Sequence, residues 1–211
     1  RYLLESRVRS RLVACGISSF ETYVRHLQDE DDPDEMTPLL NAVTINETSF
    51  FRHSTQFVAL RDEFLPELVG DRREMGTKTV RLWSAACSAG DEAYSLAILI
   101  KESLQPRFPH MDFQILGTDI NTEVLEEARS GKYRKRAVRN VPEKYLRKYF
   151  RKTGDTFALD STIRKMVTFD TLNLSDAREM RGMRDFDVIM CANVLIYFDQ
   201  SQKKRVLALL H

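Results

Sequence analysis

The stretch Thr79-Val80-Arg81-Leu82-Trp83-Ser84-Ala85-Ala86-Cys87-Ser88-Ala89-Gly90-Asp91-Glu92 decides the fold of this chain. Its first six residues are β-rich, its middle is a turn of small residues, and Asp91 to Ser103 is spaced as a helix. A strand entering a helix through such a turn opens a βαβ unit. The unit repeats downstream. Phe113 to Thr118 reads as a second strand ending at Asp119, and Thr122 to Ser130 as a second helix closed by Gly131. Met166 to Phe169 is a weaker strand, and Phe186 to Cys191 a further buried one, followed by a loop and a helix from Ser201. Strands alternating with helices predict a parallel sheet.

Upstream the periodicity is helical throughout. Leu4, Val8 and Leu12 mark a first helix, and Phe20, Tyr23, Val24 and Leu27 a second with Ser18-Ser19 as caps. The acidic run Asp29-Glu30-Asp31-Asp32-Pro33-Asp34 reads as a solvated loop into a third helix, Glu35 to Thr44. It lacks the interleaved glycine and closing glutamate of a calcium loop. A helix from Thr55 to Val69 and a polar linker precede the first strand. A basic segment, Lys132 to Lys152, leads to Thr153-Gly154-Asp155 between short strand-like runs, which predicts an inserted β-element at about 146–169. The expected division is thus 1–54, helical domain and linker, and 55–211, an α/β domain carrying the insert.

Composition narrows the function. In 211 residues, 32 Lys+Arg stand against 31 Asp+Glu, so no global field recruits nucleic acid or an anionic membrane. Cys15, Cys87 and Cys191 form no CxxC pair, which suits a reducing cytoplasm and argues against structural zinc. No apolar run approaches the ~20 residues of a membrane span, so a soluble protein without membrane insertion is expected. Residue 1 lies inside a helical pattern and His211 follows Val206 to Leu210 without a stop signal, so a fragment is expected.

The turn from Ser84 to Glu92 lies where open α/β sheets bind ligands, beyond the carboxyl ends of the strands. It has one glycine where a nicotinamide fingerprint needs three, and Gly-Asp-Glu where a P-loop needs Gly-Lys-Ser/Thr. Glu92 repels pyrophosphate and suits a cationic ligand; it also suits the first turn of a helix as a charge favoured by the dipole. Asp119, at a strand end, is placed to accept from ribose hydroxyls or to cap the next helix, although Asn121 and Thr122 are better placed to cap. Cys87 and Cys191 fall at strand ends, but no histidine accompanies them and His26, His53, His110 and His211 are scattered. Buried small side chains account for them better than nucleophiles do.

Three motifs in this order, Asn46-Glu47-Thr48-Ser49-Phe50-Phe51-Arg52, Trp83 to Glu92, and Asn193-Val194-Leu195-Ile196-Tyr197-Phe198, carry a resemblance over the whole chain. It resembles the CheR family of chemotaxis receptor methyltransferases. The resemblance implies a small N-terminal all-helical domain and a Rossmann-like class I methyltransferase domain with an inserted antiparallel β-subdomain. It also implies C-terminal strands missing here, which would leave the Phe186 strand at an open edge prone to self-association. The implied activity is transfer of a methyl group from S-adenosylmethionine to glutamate side chains on cytoplasmic helices of membrane chemoreceptors, leaving S-adenosylhomocysteine.

By the same resemblance Asn46, Thr48, Arg52, Ala86, Glu92, Asp119, Asn173, Leu174, Ala192 and Asn193 hold the cofactor. Asn173-Leu174 is the pair expected at the adenine. Arg52 and Tyr197 serve the reacting carboxylate, and Tyr197 reads equally as a core aromatic among Val194, Leu195, Ile196 and Phe198. Ala192 departs from the family, which usually has Arg there. Arg7 and Arg11, sharing a helix face, would meet an acidic receptor helix; a merely solvated face explains them as well. The short segment Lys152 to Thr156 implies no dependence on a receptor C-terminal peptide. The basic run Lys132, Arg134, Lys135, Arg136, Arg139 lacks stacking aromatics beyond Tyr133, so nucleic acid is not an expected partner. Two other readings stay open at this point, a cofactor-binding docking module without turnover and a small-molecule methyltransferase.

Overall fold

Tyr2–Ala14 (α1), Phe20–Gln28 (α2) and Met36–Val43 (α3) form a helical layer at the start of the chain. The computed structural model describes residues 2–28 and 35–210; the acidic run 29–34 and the side chain of Leu4 lie outside that description. Ser19 Oγ accepts from Thr22 N at 3.1 Å, so the expected serine cap opens α2. Glu35 joins the three helices. Arg11 grips it through Nε and Nη2 at 3.0 and 2.7 Å, and the Tyr23 hydroxyl donates to it at 2.6 Å. This bidentate guanidinium, with the tyrosine, holds the buried Glu35 carboxyl down to about 2. Arg7 Nη1 donates to the carbonyls of Val43 and Thr44 at 3.1 and 2.7 Å, groups that the end of α3 leaves without helical partners.

Ser54–Ala59 (α4) continues through a π-helical turn, Leu60–Phe64, into Leu65–Glu74 (α5). The helix therefore runs past the expected end at Val69. Pro66 has no N–H to donate one turn back, and the wider turn just before it, with Leu65 N bonded to Leu60 O, accommodates that loss.

Thr79–Ala85 (β1) leads to Asp91–Leu99 (α6), then Asp112–Asp119 (β2) to Thr122–Ser130 (α7). Asn121 Oδ1 caps α7 by accepting from the N–H groups of Glu123 and Val124 at 2.9 and 3.1 Å. Lys132–Arg134 (β3), Glu143–Tyr149 (α8), Phe150–Thr153 (β4), Thr156–Leu159 (β5) and Ser161–Arg164 (α9) follow. Val167–Thr171 (β6), Ala177–Met180 (α10), Val188–Met190 (β7) and Gln200–Leu210 (α11) complete the chain. The main sheet is parallel in the order β6-β2-β1-β7, and a small antiparallel sheet has the order β3-β5-β4. The architecture is an all-helical domain followed by a Rossmann-like α/β domain.

Two expectations are corrected here. The small sheet takes β3 from 132–134, well before 146, while β6 belongs to the parallel sheet and not to the insert. Tyr133 explains the first, since its ring is buried between two exposed cations and a central core position pulls that strand inward. The strand expected at 186–191 is only three residues long and half-buried. Asp187 delays its start: its N–H donates to Arg81 O at 2.8 Å, but Arg81 N turns to the Asp187 carboxylate at 2.7 Å, which also pairs with Arg72, so a side-chain bond takes the place of one ladder bond there.

The linker after α3 is pinned by its two phenylalanines. Phe50 meets Tyr133 and Phe150 edge-on at 4.8 and 5.0 Å, and Phe51 contacts Phe57 and Tyr145 at 5.2 and 5.9 Å. Both rings are buried, so the residues on either side are held at a fixed height above the sheet.

Candidate functional site

The carboxyl ends of β1, β2, β6 and β7 open into one cavity of about 610 Å³, a size suited to a nucleoside-like ligand. The linker crosses over it. Asn46, Thr48, Arg52, Ala86, Glu92, Asp119, Asn173, Leu174, Ala192, Asn193 and Tyr197 all line this cavity. Arg7 and Arg11 do not. Their guanidinium groups are engaged inside the helical layer, which corrects the expectation that they present a free basic face. A like-charged pair on one helix face is stable here because each cation has its own intramolecular acceptor.

The turn after β1 is built for close approach. Ala86, Ser88 and Gly90 have φ of +56°, +51° and +81°, so the chain reverses repeatedly and turns its N–H groups inward. Cys87 N donates to Thr118 O and Ser88 N to Asp119 Oδ2, both at 2.8 Å. Side chains would not fit at Gly90, where an added Cβ would lie 2.9 Å from both Ala128 Cβ and the Phe169 ring.

Glu92 projects into the cavity with a single hydrogen bond, from Ser84 Oγ at 2.7 Å. Burial pushes its carboxyl up to about 7, with the serine opposing. The adjacent Asp91 is wholly buried outside the cavity, and burial pushes it up to about 7 as well. Asp119 Oδ1 accepts from Asn121 N at 2.9 Å; burial raises its pKa, its backbone donors opposing. Each Asp119 oxygen keeps a lone pair for a ligand hydroxyl. Two acidic side chains with no cationic partner among the described residues, in a cavity walled by Leu172, Leu174 and Ile120, fit a ligand that is part cation and part apolar ring. S-adenosylmethionine has that composition.

Asn173 is shaped by its own turn: Oδ1 accepts from Ser175 N at 2.9 Å and its N–H donates to Glu179 at 2.7 Å. Leu174 is buried beside it. Asn46 bonds Thr44 Oγ1 at 3.3 Å and offers its carbonyl to Ser88 Oγ at 3.4 Å, bringing linker and turn together.

Arg52 is exposed at the cavity, held by one bond from Nη1 to Glu47 O at 2.6 Å, and makes no ion pair among the described residues. Tyr197 ends the short 3₁₀ turn Leu195–Tyr197 and is 55% exposed, so it is not a core aromatic. Cys87 and Cys191 stay thiols. Burial, then nearby acids, lifts Cys87 well above its usual range and Cys191 up to about 11.

His53 is the site residue that sequence reasoning missed. It lines the cavity, and its Nε2 lies 2.9 Å from Asn193 Nδ2, the amide donating when the ring nitrogen is unprotonated. Its position next to Arg52 was the only available signal. Among the described residues, no helix is long and apolar enough to cross a membrane.

Residues 1–44 match the family model described as CheR methyltransferase, all-alpha domain, and residues 46–211 the one described as CheR methyltransferase, SAM binding domain. The chain is 34% identical over 205 residues to chemotaxis protein methyltransferase 2 of Vibrio cholerae, covering 97% of this chain and 70% of that protein. It is 35% identical over 208 residues to the chemotaxis protein methyltransferase of Borreliella burgdorferi, covering 98% and 73%. Against the chemotaxis protein methyltransferase of Escherichia coli the figures are 35% over 211 residues, 98% and 70%. Both halves of the chain, and the cavity between their motifs, belong to one family: this chain is a member of the CheR methyltransferases.

Proposed function

We propose that this protein methylates glutamate side-chain carboxylates on the cytoplasmic helices of chemotaxis receptors, forming methyl esters with S-adenosylmethionine as donor. The observation that carries this reading is that exposed Arg52, which makes no ion pair among the described residues, and exposed Tyr197 line the same cavity as Glu92 and Asp119. A cation stands at the entrance and acids stand at the base. That polarity suits an anionic acceptor arriving from outside and a cationic donor lying within.

When bound, S-adenosylmethionine supplies an electrophilic methyl carbon on a sulfonium that departs as a neutral thioether. Glu92 would hold its ammonium group and Asp119 its ribose hydroxyls, Asn173 and Leu174 would meet the adenine, and Asn46, Thr48 and the backbone of Ala192 and Asn193 would complete the binding surface. No general base is required, because glutamate with a reference pKa of about 4.3 is already ionised at neutral pH. Arg52 orients the acceptor carboxylate, and Tyr197 directs its hydroxyl to the same oxygen pair. Their contribution is alignment and exclusion of water around charges that vanish as the ester forms. The absence of an arginine at 192 leaves Arg52 as the cation of the entrance.

Calorimetric titration with S-adenosylmethionine, followed by transfer of labelled methyl to receptor-bearing membranes, tests the reading. Alkali-labile label in the receptor is the expected result. Binding without transfer would instead indicate a docking module, and transfer only to a small acceptor would indicate a different enzyme.

A further inference from the structure

Phe51 adopts a φ of +52°, and among the described residues it is the one aromatic residue in a left-handed conformation. A bulky residue keeps that conformation only where its surroundings dictate it. Two different groups do so here. The ring is fixed by Phe57 at 5.2 Å and Tyr145 at 5.9 Å, which sets where the side chain lies but not how the peptide before it is turned. The peptide is set by Ser95, whose Oγ accepts from Phe51 N at 2.9 Å across 44 positions of sequence.

Ser95 is prepared for that role by its own helix. Its Oγ donates to Asp91 O, one turn back in α6, at 2.6 Å, and the side chain is wholly buried. With its single proton committed to α6, the hydroxyl meets the linker as an acceptor. The next residue of the linker is Arg52, whose guanidinium folds back to Glu47 O at 2.6 Å, so its place at the cavity follows the bend at Phe51. Glu92 stands on α6 three residues before Ser95 and lines the same cavity. One buried hydroxyl therefore ties the linker that carries Arg52 to the helix that carries Glu92.

We infer that Ser95, outside the cavity, is a positioning residue for methyl transfer: by holding the left-handed bend at Phe51 it fixes Arg52 relative to Glu92. The inference rests on the proposed function and adds the group that sets the spacing between the acceptor carboxylate and the methyl donor. That spacing governs rate, because misplacing a reacting group by about 1 Å costs on the order of a hundredfold.

The test is a double-mutant cycle in the full chain, comparing Ser95→Ala, Arg52→Ala and the two together. Methyl transfer is measured against increasing concentrations of receptor-bearing membranes at saturating S-adenosylmethionine, alongside calorimetric titration with S-adenosylhomocysteine. Ser95→Ala is expected to lower kcat about tenfold, to change affinity for S-adenosylhomocysteine by less than about twofold, and to have less than about a twofold effect on kcat once Arg52 is replaced. A serine that only satisfies a buried N–H would give the same loss in both backgrounds, and that result overturns the inference. So does a native kcat in Ser95→Ala, or a loss of cofactor affinity as large as the loss of turnover. If Ser95→Ala fails to bind S-adenosylhomocysteine at all, the cycle is run with Ser95→Cys, whose sulfur nearly fills the site and accepts only weakly, and the same outcomes decide. Failure of the native chain to transfer methyl to receptors overturns the proposed function, and the inference with it.

Discussion

His53 Nε2 and Asn193 Nδ2 lie 2.9 Å apart across 140 positions of sequence, joining the residue after Arg52 to the residue that starts the turn carrying Tyr197. Asn193 adopts a φ of +62°, a conformation that needs support in a residue other than glycine. The contact therefore holds linker and rim in register across the entrance, and a link between the two candidate acceptor-handling residues runs through a histidine.

Removing this link should loosen the entrance without emptying the cavity. His53→Ala is expected to lower kcat about fivefold, the equivalent of one hydrogen bond of ~1 kcal/mol, with cofactor affinity nearly unchanged. His53→Gln, which keeps a polar atom in reach, should recover most of the loss. Steady-state kinetics with calorimetric binding checks both, and an equal loss in cofactor affinity would assign His53 to cofactor binding.

Arg52→Ala should reduce turnover about a hundredfold and Tyr197→Phe about tenfold, the range for lost alignment or charge stabilisation at a reacting centre. Affinity for S-adenosylhomocysteine should change by less than about threefold in either variant. Losses of similar size in binding and turnover would place these side chains on the nucleoside instead.

Cofactor affinity should depend on pH through Glu92. Its carboxyl is raised to about 7, so the folded protein without ligand holds a proton there that the unfolded chain has already released above about 4.5. The stability this contributes is present at low pH and is lost as pH rises through about 7. A cationic ligand prefers the ionised form. Affinity for S-adenosylmethionine should therefore fall as pH drops below about 7, by up to about tenfold per unit, with proton release on binding. Calorimetry in buffers of different ionisation enthalpy measures the release. Glu92→Gln should abolish the release, whereas Asp91→Asn, outside the cavity, should not.

Arg11→Ala should destabilise the helical layer by ~2–3 kcal/mol, because it leaves the buried Glu35 carboxylate without its cation, held only by the neutral donors Tyr23 and Cys15 among the described residues. The native pair has its own pH window. Glu35 is depressed to about 2, so the stability it contributes is full above about 4.5 and is lost as pH falls towards 2. Denaturant unfolding at neutral pH measures the first effect and acid unfolding the second; cofactor affinity should be unaffected by the substitution.

Gly117→Ala should cost ~1–3 kcal/mol by overpacking, since its Cβ would stand 2.7 Å from the Phe169 ring on the neighbouring strand. Thermal unfolding of the variant checks the value, and Gly117→Ala combined with Phe169→Leu should regain part of it.

The sequence by itself determined the alternation of strands and helices and the turn from Ser84 to Glu92, while the eleven residues expected at the site, all of which line the cavity, came from the resemblance of three motifs to a known family. Each of these follows from local pattern or from motifs whose spacing survives folding: period-2 and period-3.6 burial, a run of small residues, caps such as Ser19 and Asn121. Tertiary structure alone decided matters that depend on partners far apart in sequence. Arg7 and Arg11 have the same local pattern whether they face solvent or Glu35 and the end of α3, and only the packed helices settle which. Lys132–Arg134 reads as a basic segment until Thr156–Leu159 pairs with it and buries Tyr133. The strand at 186–191 is cut short by Arg72 and Arg81, more than a hundred residues away. His53 had no signal in its neighbours, because what makes it a site residue is the approach of Asn193, and long-range contacts of that kind exist only once the sheet is assembled.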